Sequence, residues 1–331
     1  MNNRNILIII LNWNGWTDTK ECLDSLLTLT NVSFTTVVVD NGSTNDCEQI
    51  ERYVQQHYGL SRTYTKQEID EARTLPVTEP GSFVLIKNNE NLGFAKANNV
   101  GLRFAELTGY EFIYLLNNDT IVESDSLQKL FEVIINSTYA AVVPQIRYYN
   151  PSDTIWCCGG EINGFYEAYH YKNEKTDVIP HEHVMQITFA TGCALLFKRS
   201  IVKKLSEKFF FGEEDFELSL RMKQQGMRMA CVLPSVIYHK ESASIDRSAK
   251  FLNKIYVHKL NRLINIKNFA PLRWPFILTY RSFKFLLLLL FVEKIGFFKS
   301  AKFAFMLYYQ AIKLDEVTKD TFFKLLQLNI N

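Results

Sequence analysis

The stretch NILIIILNWNG, Asn5–Gly15, carries the first decision about this chain. Its apolar run is continuous, not alternating, and rich in β-branched side chains, as a strand covered on both faces requires. It then breaks off in Asn12, Trp13, Asn14 and Gly15. The same signature returns in TTVVVDNGS, which ends its apolar run at Asp40, and in EFIYLLNNDT, which ends in Asn117, Asn118 and Asp119. Segments with helical spacing lie between these strands. TDTKECLDSLLTL places Cys22, Leu23, Leu26 and Leu27 on one face, with Thr17 or Asp18 available as cap. NDCEQIERYVQQHY and GFAKANNVGLRFAELT follow the next two strands, the second of which is SFVLIKN. Strands alternating with helices imply a parallel sheet with right-handed crossovers. The polar, Pro-bearing segment 61–81 reads as a surface insertion with room for one short helix.

Beyond residue 140 the pattern is mixed. AAVVPQIRYY, ITFATGCALLFKR and MACVLPSVIYHK read as strands, CCGGEINGFYEAYHY as a Gly-punctuated hairpin or loop, and DFELSLRMKQQG as a helix stopping at Gly226. From about residue 250 the chain turns helical, basic and aromatic. The formal charge of +2 hides this asymmetry: residues 251–331 carry 13 Lys and Arg against 4 Asp and Glu, whereas 1–250 carry 24 against 31. Such a split points the C-terminal end at something anionic. A hydrophobic content of 47% with 22% charged residues excludes wholesale disorder. The six cysteines show neither a CxxC pair nor metal-finger spacing, which fits a reduced, cytoplasmic protein. The N-terminal apolar run has no small-residue cleavage site and reads as a strand, not a signal peptide.

In open α/β sheets, ligands bind outside the carboxyl ends of the strands. One polar strand end is commonly a turn and nothing more. Three on one edge, at Asn12–Asn14, at Asp40-Asn41-Gly42 and at Asn117-Asn118-Asp119, read as a built site. Asp40 can accept from a nucleobase imide or a ribose hydroxyl, and Asp119 offers the oxygen a hard divalent cation prefers.

The order VVVDNGS, NNENLGFAKANNVGL, YLLNNDT, ATGCALLFKRSIV, FFFGEEDFELSLRMKQQG, VIYHKESAS resembles the family-2 glycosyltransferases, of GT-A fold, over roughly residues 5–245. It is similar in particular to a rhamnosyltransferase-like branch that makes bacterial surface polysaccharides. The resemblance implies a Rossmann-like, mainly parallel mixed sheet flanked by helices. It divides the chain into a catalytic domain, 1–248, with a nucleotide-binding half (1–120) and an acceptor half (121–248), and a C-terminal helical region, 249–331. It implies that Asn12, Trp13, Asn14, Asp40, Gly93, Ala97, Asn99, Asn117 and Asn118 line the nucleotide sugar. Asp119 takes the metal-binding position of a D-x-D motif whose first acid is here Asn117, and His239 completes the shell. Asp215 takes the position of the catalytic base, with Glu214 beside it. Glu217 stands where relatives usually carry Asp, and with Arg221, four residues on, it is a candidate for binding the acceptor. Trp156 is a further weak candidate for stacking on the acceptor.

The chemistry is coherent with that reading. Transfer from a nucleoside diphosphate needs the leaving diphosphate stabilised, which Mn²⁺ or Mg²⁺ does as a Lewis acid. It needs a carboxylate to take the acceptor proton, and one direct displacement inverts the anomeric centre. Crowding of Asp215 by Glu213 and Glu214 would raise a pKa in the cluster. The expected function is an inverting, metal-dependent transferase acting on a lipid-linked saccharide, with rhamnose from a deoxythymidine-diphosphate donor the first choice. A uridine-diphosphate hexose or galactofuranose donor, or a non-catalytic binder of the same fold, are the alternatives. HEH (His181–His183) lacks an evident third ligand, GGEING has the wrong spacing for a phosphate loop, and no Walker A sequence is present.

The tail 273–313 interleaves basic residues with Phe, Leu and Tyr. Its longest uninterrupted apolar stretch, Phe285–Val292, is shorter than the roughly 20 residues a bilayer needs. It reads as in-plane helices on the inner face of the cell membrane, the bland alternative being a helical pair packed on protein. A nucleic-acid arm would be more polar.

Overall fold

The computed structural model describes residues 6–180, 182–240 and 251–329. His181, the ESAS end of the last motif and the expected domain boundary at 248/249 lie outside them. The chain forms two compact units, Met1–Ser206 with Leu218–Ser242, and Glu207–Glu217 with Ala243–Asn331.

The first unit is built on an 11-stranded sheet. Its parallel half runs β3 (Ser61–Thr65), β4 (Phe83–Lys87), β2 (Phe34–Asp40), β1 (Ile6–Asn12) and β5 (Phe112–Asn117). β12 (Ala194–Lys198) pairs antiparallel with β5 and with β7 (Ala141–Tyr148), making the sheet mixed. β13 (Met229–His239) lies parallel to β7, and the short β6 (Thr120–Val122), β8 (Ile155–Cys157) and β11 (Val184–Ile187) pair at the periphery. β9 (Gly160–Asn163) and β10 (Tyr166–Tyr169) form the expected hairpin.

Alternate residues of β1 enter different cores, so the sheet is covered on both faces. Leu7 and Ile9 pack with Ala97, Val100 and Phe104 of α4 (Phe94–Thr108). Ile6, Ile8 and Ile10 pack with Cys22, Leu23 and Leu26 of α1 (Trp16–Leu26), with Ile50 and Tyr53 of α2 (Asp46–His57) and with Leu127 and Leu130 of α5 (Ser126–Ile135). All five apolar side chains are fully buried, each worth about 1.5–3 kcal/mol of transfer free energy. That double covering explains the unbroken apolar run.

The segment read as a surface insertion contributes more than expected. Ser61–Thr65 adds β3 to the edge of the sheet, parallel to β4. Four of its five residues are exposed and only Tyr64 packs inward, its ring 6.0 Å from that of Phe104, so the strand leaves little apolar signature. Thr65 and Glu68 then form a reciprocal capping box that starts the short α3 (Lys66–Glu71). ITFATGCALLFKR is likewise not one strand: β11 stops at Ile187 and β12 starts at Ala194. α1 is capped by Gly15, which puts Thr17 and Asp18 inside its first turn.

The second unit is helical: α7 (Phe251–Phe269), α8 (Trp274–Leu287) continuing into a π-turn at Leu288–Val292, α9 (Phe297–Lys313) and α10 (Lys319–Leu326). Tyr256, Leu260, Phe285, Leu289, Phe303 and Leu307 form its own core. The helix α6 (Glu214–Gln224) is divided, its first turn counting with this unit and the rest with the first.

Candidate active site

Parallel pairing sets Asn12 opposite Asp40 and Leu11 opposite Asn117, so the polar ends of β1, β2 and β5 share one edge of the sheet. A continuous hydrogen-bonded chain joins them. Asn118 Nδ2 donates to Thr19 Oγ1 (2.9 Å), and Thr19 Oγ1 donates to Asn12 Oδ1 (2.7 Å). Asn12 Nδ2 in turn donates to Asp40 Oδ1 (2.8 Å) and Asp46 Oδ2 (3.1 Å). Asp40 is 1% exposed, and its Oδ2 also accepts from the Ser43 N–H and the Cys47 thiol, both at 3.1 Å. Burial and the Asp40 carboxylate push that thiol up to about 12, so it keeps its proton and donates. A carboxylate offers about four lone-pair sites, and these three bonds leave Asp40 room for one further donor.

The flanking loops are equally fixed. Asn14, at φ 50°, donates its N–H to Ser43 Oγ (2.8 Å) and accepts at Oδ1 from the Thr44 N–H (2.9 Å). Asn41 Oδ1 accepts from the Leu92 N–H (3.0 Å) and from Asn88 Nδ2 (3.2 Å), drawing the start of α4 to this edge. Gly42 permits that approach: at φ +75°, a Cβ there would meet the Glu90 backbone at 2.5 Å. Gly93, at φ 83°, caps α4 in a conformation that favours glycine. Trp13 stays 53% exposed beside this network, an aromatic face on offer.

At the tip of β5, Asp119 Oδ1 lies 3.2 Å from His239 Nε2 on the end of β13. The Trp156 ring packs edge-on against the imidazole at 4.8 Å. Burial works against charge on His239, yet Cys193 and Asp119 beside it push the imidazolium up to about 11. Among the described residues, His239 Nδ1 is buried without a hydrogen-bond partner, and no group of three or more His, Cys, Asp or Glu could hold a metal unaided. One carboxylate and one imidazole fit a cation that takes its remaining ligands from water and substrate phosphate, the usual habit of Mg²⁺. Taking His239 Nε2 would require a metal to displace its proton.

The second unit holds the acidic cluster. Glu213 is buried at φ 76°, where Arg262 Nε donates to its Oε2 (2.5 Å), Asn265 Nδ2 donates to its backbone oxygen (3.3 Å) and His258 Nδ1 lies 3.2 Å from its Oε1. Glu214 follows, partly buried, and its Oε2 has no hydrogen-bond partner among the described residues. Burial first, and the neighbouring Asp215 charge second, push Glu214 from its ordinary 4.5 to about 8. Asp215 Oδ1 accepts from the Phe216 N–H (2.7 Å).

That shift fixes a stability trend. Between pH 4.5 and about 8 the unfolded chain ionises Glu214 while the folded chain keeps it protonated, so its contribution to stability falls as pH rises. Glu214→Gln removes the titration. The variant should match wild type in thermal unfolding near pH 4.5 and exceed it above pH 8, by about 1 kcal/mol or more.

The remaining sequence-derived candidates make these contacts. Ala97 is fully buried in the α4 core. Both ends of the Asn99 amide engage the Leu205 backbone, at 3.0 and 2.8 Å. The Asn117 backbone oxygen accepts from Thr120 Oγ1 (2.7 Å). The Glu217 N–H donates to the Glu213 carbonyl (2.9 Å) within the first turn of α6, and Arg221 donates to the Lys204 carbonyl (3.2 Å). Sequence reasoning passed over Thr19, Ser43, Asp46, Arg262 and Asn265. Thr19 looks like any helix residue, and Arg262 looks like one more cation of a basic tail.

A mixed sheet with its polar strand ends gathered at one edge, an aspartate–histidine pair among them, defines a GT-A-type nucleotide-sugar-binding fold. A family profile for glycosyl transferase family 2 matches residues 7–206, and the chain belongs to that family. No curated protein matches it in sequence. Solved structures give the fold. A mannosyltransferase from Pyrobaculum calidifontis, in complex with GDP-mannose and Mn²⁺, aligns with TM-score 0.54 at 15% identity over 93% of this chain and 75% of its own. TarS 1–349 of S. aureus aligns with TM-score 0.52 at 16% identity over 93% and 81%. GalNAc-T7, bound to UDP, GalNAc and Mn²⁺, aligns with TM-score 0.55 at 14% identity over 79% of this chain, which spans about half (51%) of that one.

Proposed function

We propose that this family-2 glycosyltransferase moves a sugar from a nucleoside-diphosphate donor to a saccharide acceptor with inversion at the anomeric carbon. The observation that carries the donor assignment is the hydrogen-bonded edge from Asn118 through Thr19 and Asn12 to Asp40, with Asp119 and His239 at its metal end. Trp13 and the remaining acceptor site on Asp40 are assigned to the base, and Asp119 with His239 to a divalent cation on the diphosphate. That cation supplies Lewis-acid stabilisation of the departing charge. The Mn²⁺ and nucleotides held by two of the similar structures support this assignment. Asp215 is assigned as the base for the acceptor hydroxyl. Rhamnose from a deoxythymidine-diphosphate donor and a lipid-linked acceptor in bacterial surface-polysaccharide assembly, on the cytoplasmic side, are the specific reading, resting on the motif resemblance. A uridine-diphosphate hexose or galactofuranose is the nearest alternative. A non-catalytic binder is the second reading, favoured by Asn117 in place of an acid.

Titration calorimetry with a panel of nucleoside diphosphates and nucleotide sugars, with and without Mn²⁺ or Mg²⁺, tests the donor site. One diphosphate should be preferred in a metal-dependent way, and Asp119→Ala should weaken it by about tenfold or more, ~1.4 kcal/mol. A folded protein that binds no diphosphate under any metal condition removes the transferase reading.

A further inference from the structure

We propose that α8 and α9 dock the protein on one leaflet of an anionic lipid membrane, lying in its plane without crossing it. Each helix commits one stripe to the core of the second unit and leaves another bare. α8 buries Leu278, Ser282 and Phe285, while Phe276, Tyr280 and Phe283, spaced four and three residues apart, face solvent. α9 buries Phe303, Ala304 and Leu307 and exposes Phe298, Phe305, Tyr309 and Ile312, spaced seven, four and three residues apart. The π-turn that ends α8 adds Phe291 and Val292, and the first residue of α9 adds Phe297, all exposed, with Lys294 at φ 54° in the turn between. Phe276 is 80% and Phe298 88% exposed. Aromatic stripes this open are uncommon on a soluble surface unless something covers them.

Charge identifies the cover. Residues 273–313 hold seven Lys and Arg against one acidic residue. Lys284 lies over the Tyr280 ring and Lys313 over the Tyr309 ring, so the cations sit among the exposed aromatics. A second copy of the same surface would bring like charges together, whereas anionic headgroups complement them. Long Lys stems also reach headgroups while their neighbours enter the acyl boundary.

Trp274–Val292 forms 19 continuous helical residues of mean hydropathy 1.7, long and apolar enough by length and composition to cross a bilayer. This exceeds the eight-residue apolar stretch visible in sequence. Two features argue against crossing. Arg281 and Lys284 stand at the middle of the segment, where a charge is expensive at the bilayer centre. The opposite stripe of α8 is packed in a core shared with α7, which buries Asn253, Asn261, Arg262 and Asn265. That core belongs in water or at an interface.

The test is flotation of the full chain with vesicles of phosphatidylcholine alone or mixed with phosphatidylglycerol. Wild type should float with the anionic vesicles only, be released by high salt, and leave the membrane in alkaline carbonate. Phe298→Glu/Phe305→Glu should abolish flotation, and Lys294→Gln/Lys302→Gln should weaken it about tenfold or more. Both variants alter exposed side chains, and unchanged circular dichroism and calorimetric nucleotide binding would show that folding and the donor site survive. The proposal is overturned by folded wild type that ignores anionic vesicles, or that resists carbonate as a spanning helix would. Equal affinity for duplex DNA would also overturn it, as would a lipid-independent dimer that Phe298→Glu/Phe305→Glu converts to monomer.

Discussion

Asp215→Asn is expected to lower kcat by about 10²–10⁴-fold, the range general-base catalysis contributes, with donor affinity unchanged. The amide keeps the size and planarity of the carboxylate and can still accept the Phe216 N–H, which Asp215 Oδ1 holds at 2.7 Å. It cannot take a proton from an acceptor hydroxyl. The adjacent acid is a poor substitute at neutral pH, because Glu214 is pushed up to about 8 and keeps its proton. Asp215→Asn also removes the neighbouring charge that helps raise Glu214, so residual activity that climbs with pH below 8 would report Glu214 acting in its place, and Asp215→Asn/Glu214→Gln should lose that rise. Initial rates across pH, paired with calorimetric donor binding, separate the outcomes. Wild-type kcat in Asp215→Asn removes the base assignment. Donor binding without turnover in wild type, across all sugars and acceptors tried, turns the argument to the non-catalytic reading that Asn117 favours.

The strands that build the polar edge were legible because each is buried on both faces, and burial on both faces forces an unbroken apolar run. Ile6–Asn12 and Phe34–Asp40 have that signature, and their polar tips mark where burial stops. Ser61–Thr65 was not legible, since an edge strand held mainly through its backbone needs few apolar side chains, here Tyr64 alone. The site followed the same logic. Asp40 and Asp119 announce themselves as lone acids closing apolar runs, but what joins the Asp40 end to Asn118, the neighbour of Asp119, is Thr19, one hydroxyl on an otherwise ordinary helix. Asn99 shows the converse: it stands in a recognisable motif, and both ends of its amide engage the Leu205 backbone. A motif fixes which residue is present. Only the fold decides which way its hydrogen bonds run.

Arg262 carries the largest expected stability effect. It is 4% exposed, donates through Nε to the buried Glu213 carboxylate at 2.5 Å, and lays its guanidinium 3.5 Å from the centroid of the Phe216 ring. Arg262→Ala leaves Glu213 in a buried place without its main countercharge, and breaking such a pair from one side costs about 3–5 kcal/mol. His258 Nδ1, 3.2 Å from the other oxygen, and Asn265 recover part of that. Urea unfolding should show the loss in the transition of the helical unit. Arg262→Ala/Glu213→Gln should be more stable than Arg262→Ala alone, since the stranded charge is gone, whereas additive losses would mean the pair does not interact. Arg262→Lys should fall between, a point charge being unable to reproduce both the directed Nε bond and the stacking on Phe216. The effect should also reach turnover. Glu213 sits at φ 76° immediately before Glu214 and Asp215, and that strained conformation persists because its surroundings hold it. Loosening it lets the acids move, so Arg262→Ala should lower kcat more than it raises the donor Kd at temperatures where the variant is fully folded. A stability change under about 1 kcal/mol, with kcat intact, would mean that this buried pair neither holds the helical unit together nor positions the acids that follow it.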